Sequence, residues 1–302
     1  MIIRPTVFRR FPAETPKRVG PDSADMDRIP FGVAGFDSRI GGGAPAGSLV
    51  LLAGESGAGA REFLYTSAVM NGLERADPEL HDLHYGADVE TGRPDAIHYL
   101  SYTADESTLE TEIGFTMDRE LVEAGLEPVT FADLSGPYFG LSPVPREWYG
   151  PKHRTIQDLG RDAETEGVLT ATADYLDEHA PGGLILLDSL TDLLSARGRH
   201  HSISDLVLTL KGLRRAAREW GSLILLLLSA DAVTDEELGA LMSAVDGTIQ
   251  FQWETGGNER VRTMFVPEFR GVLSQLEAED IIRFETDLHD AGFDVSNVRK
   301  IR

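Results

Sequence analysis

The chain has 302 residues and a 41% hydrophobic fraction, enough for one large core or one core with a small appendage. Its 50 acidic residues against 28 basic ones give a formal net charge of −22, so the bulk of the surface repels nucleic-acid phosphates and anionic membranes. It has no cysteine, which excludes a disulfide framework and a thiolate zinc site.

Residues 1–27 show little periodicity and read as a flexible N-terminal arm. Arg4, Arg9, Arg10, Lys17 and Arg18 are opposed in the first twenty residues only by Glu14, which also fits a basic arm docking on an acidic neighbouring subunit. No apolar h-region is visible there, and no run approaches the roughly 20 apolar residues of a membrane helix, so the expected address is cytoplasmic. Lys17, Lys152, Lys211 and Lys300 are the only lysines. The acidic excess reads as adaptation to a high-salt cytoplasm, where screening removes the self-repulsion of the compact state; a merely acidic protein of ordinary habitat is the other reading.

From Arg28 to the C-terminus the pattern is that of one domain. Ser48 to Ala53 is an apolar strand, and Glu62 to Met70 reads as a helix. Between them lies Gly54-Glu55-Ser56-Gly57-Ala58-Gly59-Ala60-Arg61, which matches the glycine frame of G-x-x-x-x-G-K-[ST] at Gly54 and Gly59. In such a loop backbone N–H groups cradle phosphates, the lysine neutralises the outer ones, and the hydroxyl coordinates Mg²⁺. Here the lysine position is Ala60 and the hydroxyl position is Arg61. The same glycines would also serve an ordinary turn between strand and helix.

Further along, Ile97 to Tyr102, Val129 to Ala132, Leu184 to Asp188 and Leu223 to Ser229 read as strands, with helical patterns between them, notably Val168 to His179 and Ile203 to Trp220. Strands separated by helices predict an α/β fold with a mostly parallel, twisted sheet covered on both faces. Two stretches look inserted, near 76–95 and near 133–161; the second holds Tyr138, Phe139, Trp148 and Tyr149, which fit a lid or contact surface as well as simple anchoring of the loop. Thr248 to Trp253, Arg260 to Val266 and Ile281 to Glu285 alternate over short runs, and Glu254 to Glu259 reads as a hairpin turn, so the sheet is expected to end in an antiparallel extension. Asp188 closes an apolar strand at the sheet edge where ligands sit in α/β folds, the position of an acid that holds a Mg²⁺ water shell. Lys211, Arg214, Arg215 and Arg218 share one helix face, either a solvated surface or a contact for DNA or a partner. His81 with His84 and the pair His200-His201 lack a third ligand and read as loop histidines.

Upstream of the loop, Ile29-Pro30-Phe31-Gly32-Val33-Ala34-Gly35-Phe36-Asp37 and Gly41-Gly42-Gly43-Ala44-Pro45-Ala46-Gly47 resemble the segments that lead into the first strand of KaiC-like proteins of the RecA superfamily. The resemblance runs from about Arg28 to Arg283 and implies a RecA-like fold, ATP or ADP with Mg²⁺ as ligands, and assembly into a ring or dimer. It also marks departures. The paired glutamates that active members place after the second strand fall on Thr103 and Ala104, with Asp105 and Glu106 two residues later as the nearest acids. The K-x-R-G element that reaches the next subunit's phosphate is Glu268-Phe269-Arg270-Gly271, keeping Arg270 and replacing the lysine by Glu268. The resemblance therefore implies a degenerate member that regulates or scaffolds a protein partner or active paralogue, with weak or absent nucleotide binding through residues 54–61 and Asp188; the acidic excess adds the expectation of a salt-adapted archaeal origin. Two alternatives stand beside it: an active ATPase in which Arg61 replaces the lysine, and a DNA-associated recombinase accessory protein, which the net charge disfavours.

Overall fold

The computed structural model describes residues 28–86, 92–140, 142–149, 167–195, 202–256, 259–278 and 281–300. The N-terminal arm, much of the second inserted stretch and His200-His201 lie outside the described residues. Two short strands, β1 (Arg28–Ile29) and β2 (Ala44–Pro45), pair antiparallel. The main sheet has nine strands: β3 (Ser48–Gly54), β4 (Ile97–Ser101), β5 (Val129–Asp133), β6 (Leu184–Asp188), β7 (Leu223–Ser229), β8 (Gly247–Gly256), β9 (Glu259–Phe269), β10 (Ile281–His289) and β11 (Gly292–Lys300). Their order is β11-β10-β9-β8-β3-β7-β6-β4-β5. The strands from β8 through β5 are parallel, and β8 to β11 form an antiparallel extension, as the sequence patterning predicts.

The leucine run of β7 shows why the central strands are apolar at every position. Leu223, Leu225 and Leu227 enter the core on one face, while Ile224, Leu226 and Leu228 enter a separate core on the other. Alternate side chains point to opposite faces, so a strand covered on both sides has no polar positions to offer. The first core is rich in aromatic rings: Phe63 lies 5.4 Å from both Phe251 and Phe293, and Phe36 lies 5.6 Å from Phe284. These contacts tie the helix after the loop to the antiparallel extension, with the edge-to-face geometry that aromatic pairs favour. That helix, Ala60–Ala76, packs on the helix Arg119–Leu126 where Gly72 meets Gly125; a Cβ at Gly72 would overlap the Gly125 carbonyl oxygen.

The first inserted stretch is in part regular. Asp77 accepts a hydrogen bond from the Leu80 N–H and Pro78 starts a helix through Tyr85, a cap and first-turn proline that suit a helix start. In the second, Ser135–Phe139 is helical and Arg146–Trp148 forms a single 3₁₀ turn. Tyr138, Phe139 and Tyr149 contact one another in sequence, whereas Trp148 is 79% exposed. No helix among the described residues is long and apolar enough to cross a membrane.

Candidate functional site

The carboxyl ends of β3, β6 and β7 converge on a cavity of about 410 Å³. The loop Gly54–Arg61 forms one wall, and Thr103, Ser189 and Thr191 contribute to the others. Gly57 and Gly59 adopt positive φ, +73° and +109°, which their glycine identity permits. Gly59 has a second reason: a Cβ there would lie 2.8 Å from the Phe293 ring. The helix Ala60–Ala76 begins at once, so the amides of its first turn are left without intrahelical acceptors.

The loop is held by its own protein. Ser56 donates through both its N–H and its hydroxyl to Asp231 Oδ2, at 2.8 and 2.9 Å. These two donors hold the Asp231 carboxyl below its ordinary range, the backbone N–H contributing most. The Ser56 carbonyl accepts from Trp253 Nε1 at 3.1 Å, and the Gly57 carbonyl accepts from Arg262 Nε at 3.0 Å. Glu55 turns back to accept from the Trp253 N–H at 3.1 Å. Arg260 and Arg262 lie over the Trp253 ring, 4.2 and 4.7 Å from its centre. The antiparallel extension thus fixes the cradle from outside, through residues that sequence reasoning did not single out. The signal was the alternation of Trp253, Arg260 and Arg262 on paired strands, legible only once the register is known.

Arg61 leaves the first turn of the helix and reaches β6, where Nη1 lies 2.7 Å from Asp188 Oδ2. The same carboxylate oxygen accepts from the Tyr99 hydroxyl at 2.8 Å. Tyr99 stands on the neighbouring strand β4, and it is fully buried, so its hydroxyl needs such a partner. Tyr65, one helical turn on from Arg61, donates its hydroxyl to Glu112 Oε2 at 2.8 Å. The pair is asymmetric: the Asp188 side chain is 5% exposed and that of Arg61 is 48% exposed. Burial is the largest single influence and works against the Arg61 charge, but the Asp188 carboxylate together with Tyr65 and Tyr99 outweighs it and holds the guanidinium above its ordinary range. Burial pushes the Asp188 carboxyl up, and the opposing pull of Arg61 and Tyr99 does not fully reverse it.

Of the residues singled out in the sequence, Gly54 to Gly57, Gly59, Ala60 and Arg61 line the cavity, Ala58 is buried beneath the loop, and Asp188 lies behind Arg61. Asp105 and Glu106 are not brought to it. Asp105 is the N-cap of the helix Glu106–Gly114, accepting from the Thr108 N–H at 2.9 Å, and hydrogen bonds from Thr108 and Ser107 hold its carboxyl low. Glu268 and Arg270 sit at the other end of the sheet, where Phe269 pairs with Gly247. Arg270 and Arg218 both reach the Asp246 carboxylate there, Arg270 at 3.7 Å. Arg214 donates to the Val245 carbonyl and Arg215 pairs with Glu219, so three of the four cations on that helix face are engaged within the chain. His81 stacks on Tyr85, and no group of three or more metal-ligating side chains occurs among the described residues.

The fit to a Mg²⁺ nucleotide can be judged from these groups. Ala60 offers a methyl where the phosphates need an ammonium, and the acid that would face the metal is bonded to a guanidinium. Nearby hydroxyls are committed: Ser189 Oγ donates to Asp192 at 2.5 Å, and Thr191 Oγ1 accepts from the Ser229 N–H at 2.9 Å. The glycine cradle fits a phosphate, whereas the donor set does not fit Mg²⁺. No protein-family model and no curated protein sequence matches the chain. Among solved structures it is similar to a KaiC-like protein from the hyperthermophilic archaeon Pyrococcus horikoshii, with a TM-score of 0.55 over 90% of this chain and 100% of that one, at 16% identity. That likeness establishes a RecA-like fold and leaves the chemistry to the residues described above.

Proposed function

We propose that this chain is a degenerate RecA-fold module that regulates or scaffolds a protein partner, with weak or absent nucleotide binding and little ATP hydrolysis. The observation that carries this reading is the Arg61–Asp188 ion pair beside Ala60. A working site concentrates positive charge at this point from a lysine and a divalent ion. Here one guanidinium is offset by one carboxylate, so the pair is close to neutral. Two unit charges at 4 Å interact by about 4 kcal/mol at an effective dielectric near 20, and about 1.4 kcal/mol is tenfold in rate. Loss of the lysine and the metal therefore removes many orders of magnitude of transition-state stabilisation.

The reading as an active ATPase with Arg61 in the lysine's role needs that side chain folded over the loop; its engagement with Asp188 weighs against this. The DNA-accessory reading is weakened by the net charge and by the internal pairing of Arg214, Arg215 and Arg218. An active paralogue, a signalling protein or a second copy of the chain remains the partner class that an acidic surface with a basic N-terminal segment supports. Steady-state phosphate release from ATP in high salt tests the proposal. The expected result is no Mg²⁺-stimulated release; turnover that Mg²⁺ stimulates and Asp188→Ala abolishes would refute it. The acidic excess also supports a high-salt origin, with unfolding midpoints that climb steadily with KCl; full stability in dilute buffer would contradict that.

A further inference from the structure

We infer that Arg61 is the resident cation of this site, its guanidinium filling the place beside Asp188 that a divalent ion would take, so that the cavity rejects Mg²⁺ and Mn²⁺ and any phosphate ester reaching the loop is held metal-free. The inference rests on the reading above for the placing of Asp188 at the nucleotide edge of the sheet.

Three observations carry it. The guanidinium is anchored rather than trailing: Asp188 holds it at 2.7 Å. The bonded carboxylate oxygen already has two donors, Arg61 and Tyr99, so coordination there requires breaking an ion pair with a nearly buried partner. The hydroxyls of Ser189 and Thr191 are engaged as well. A divalent ion of this size demands about six oxygen ligands in near-octahedral order. The position that supplies a hydroxyl in the usual frame is Arg61 itself, Ser189 is bonded to Asp192, and Thr191 is bonded to the Ser229 amide. The cradle's anion-binding parts are separate from these. The first-turn amides and the exposed edge of Arg61 face the cavity without needing a metal. A phosphate group would meet them directly, with the guanidinium supplying the charge-assisted hydrogen bonds that arginine gives to phosphate oxygens.

The experiment is an electron paramagnetic resonance titration of Mn²⁺ into the full chain in high salt, with and without ADP, for wild type and Asp188→Asn. Because the surface carries many carboxylates, the readout is the difference between the two proteins. The expected result is none: the same loss of free Mn²⁺ signal in both. Binding in wild type that Asp188→Asn removes would overturn the inference. If the variant fails to fold, the comparison of ADP affinity with Mg²⁺ and with EDTA, made on wild type alone, decides. ADP affinity in EDTA should equal or exceed that in Mg²⁺, and an undetectable affinity in both also fits; a tenfold tightening by Mg²⁺ overturns the inference. The two proposals fail separately. ATP turnover that persists in EDTA would sink the non-hydrolytic reading and leave metal exclusion standing, whereas an Asp188-dependent Mn²⁺ site without turnover would sink metal exclusion alone.

Discussion

Asp37 and Asp188 are both withdrawn from solvent, yet one is answered by backbone and the other by a side chain that itself borders a cavity. Asp37 accepts from the N–H groups of Phe31, Gly32 and Val33 and from the Tyr85 hydroxyl, all between 2.8 and 3.1 Å. Its donors are fixed by the turn that precedes the first short helix, and nothing outside the fold could take its place. Asp188 is answered by Arg61, which is half exposed and borders open space. The contrast separates an acid enclosed by its own turn from one whose partner borders a cavity. Burial is expensive in both places, but only at Asp188 does the compensating charge border a cavity.

The largest effect is expected at the structural acid. Asp37→Ala strands three buried N–H groups and a tyrosine hydroxyl, at about 1–3 kcal/mol for each unsatisfied group, and should destabilise the chain by about 4 kcal/mol or more in denaturant melts. Burial also holds the Asp37 carboxyl up at about 7, from an ordinary 3.8, against the pull of its amides and Tyr85. The native state then binds this proton more tightly than the unfolded chain, so the group's contribution to stability falls as pH rises from about 4 to about 7. The advantage of wild type over Asp37→Asn should shrink across that window, by about 4 kcal/mol at most. An advantage that grows with pH would show that the amides, rather than burial, dominate.

Removing one partner of the second pair should cost less. Breaking a fully buried ion pair typically costs 3–5 kcal/mol; Arg61 is half exposed, and Arg61→Ala is expected at about 2–3 kcal/mol. Asp188→Asn should cost about 1 kcal/mol, because its carbonyl still accepts from Tyr99 and Arg61 can turn to water. The double variant should be less unstable than the sum of the two, and simple additivity in this cycle would mean the pair is not coupled.

Within the loop, Gly59→Ala meets both a strained φ and the Phe293 ring, and about 2 kcal/mol is expected. Gly57→Ala meets only the strain, since the nearest atom to its Cβ is 3.9 Å away, and about 1 kcal/mol is expected. Equal losses in thermal melts would mean that Phe293 does not press on the cradle as described.

Much of this was legible before the structure. Runs such as Leu223 to Leu228 declare a strand buried on both faces, and the glycine frame at Gly54 and Gly59 declares a tight turn into a helix. Asp188 was legible because an acid ends an apolar strand downstream of the glycine loop, at the sheet edge where ligands sit in α/β folds. The strand β11 was not, since Gly292 to Lys300 mixes Asp, Asn and Ser into a short alternation that reads as loop. The helix Pro78–Tyr85 was hidden by the proline and glycine around it, although Asp77 and Pro78 are a good start signal. Most consequential was the destination of Arg61. Its partner lies 127 residues away on another strand, and no local pattern states that distance. The sequence shows no lysine and no hydroxyl at the two positions of the frame; only the folded arrangement shows that Arg61 meets Asp188.

Calorimetric titration of ATP with Mg²⁺ into wild type and into the double variant Ala60→Lys/Arg61→Thr tests the central claim most directly. The account predicts weak or undetectable binding to wild type and an affinity at least tenfold higher in the variant, about 1.4 kcal/mol or more. Tight Mg²⁺-dependent binding to wild type that the double substitution weakens would contradict it.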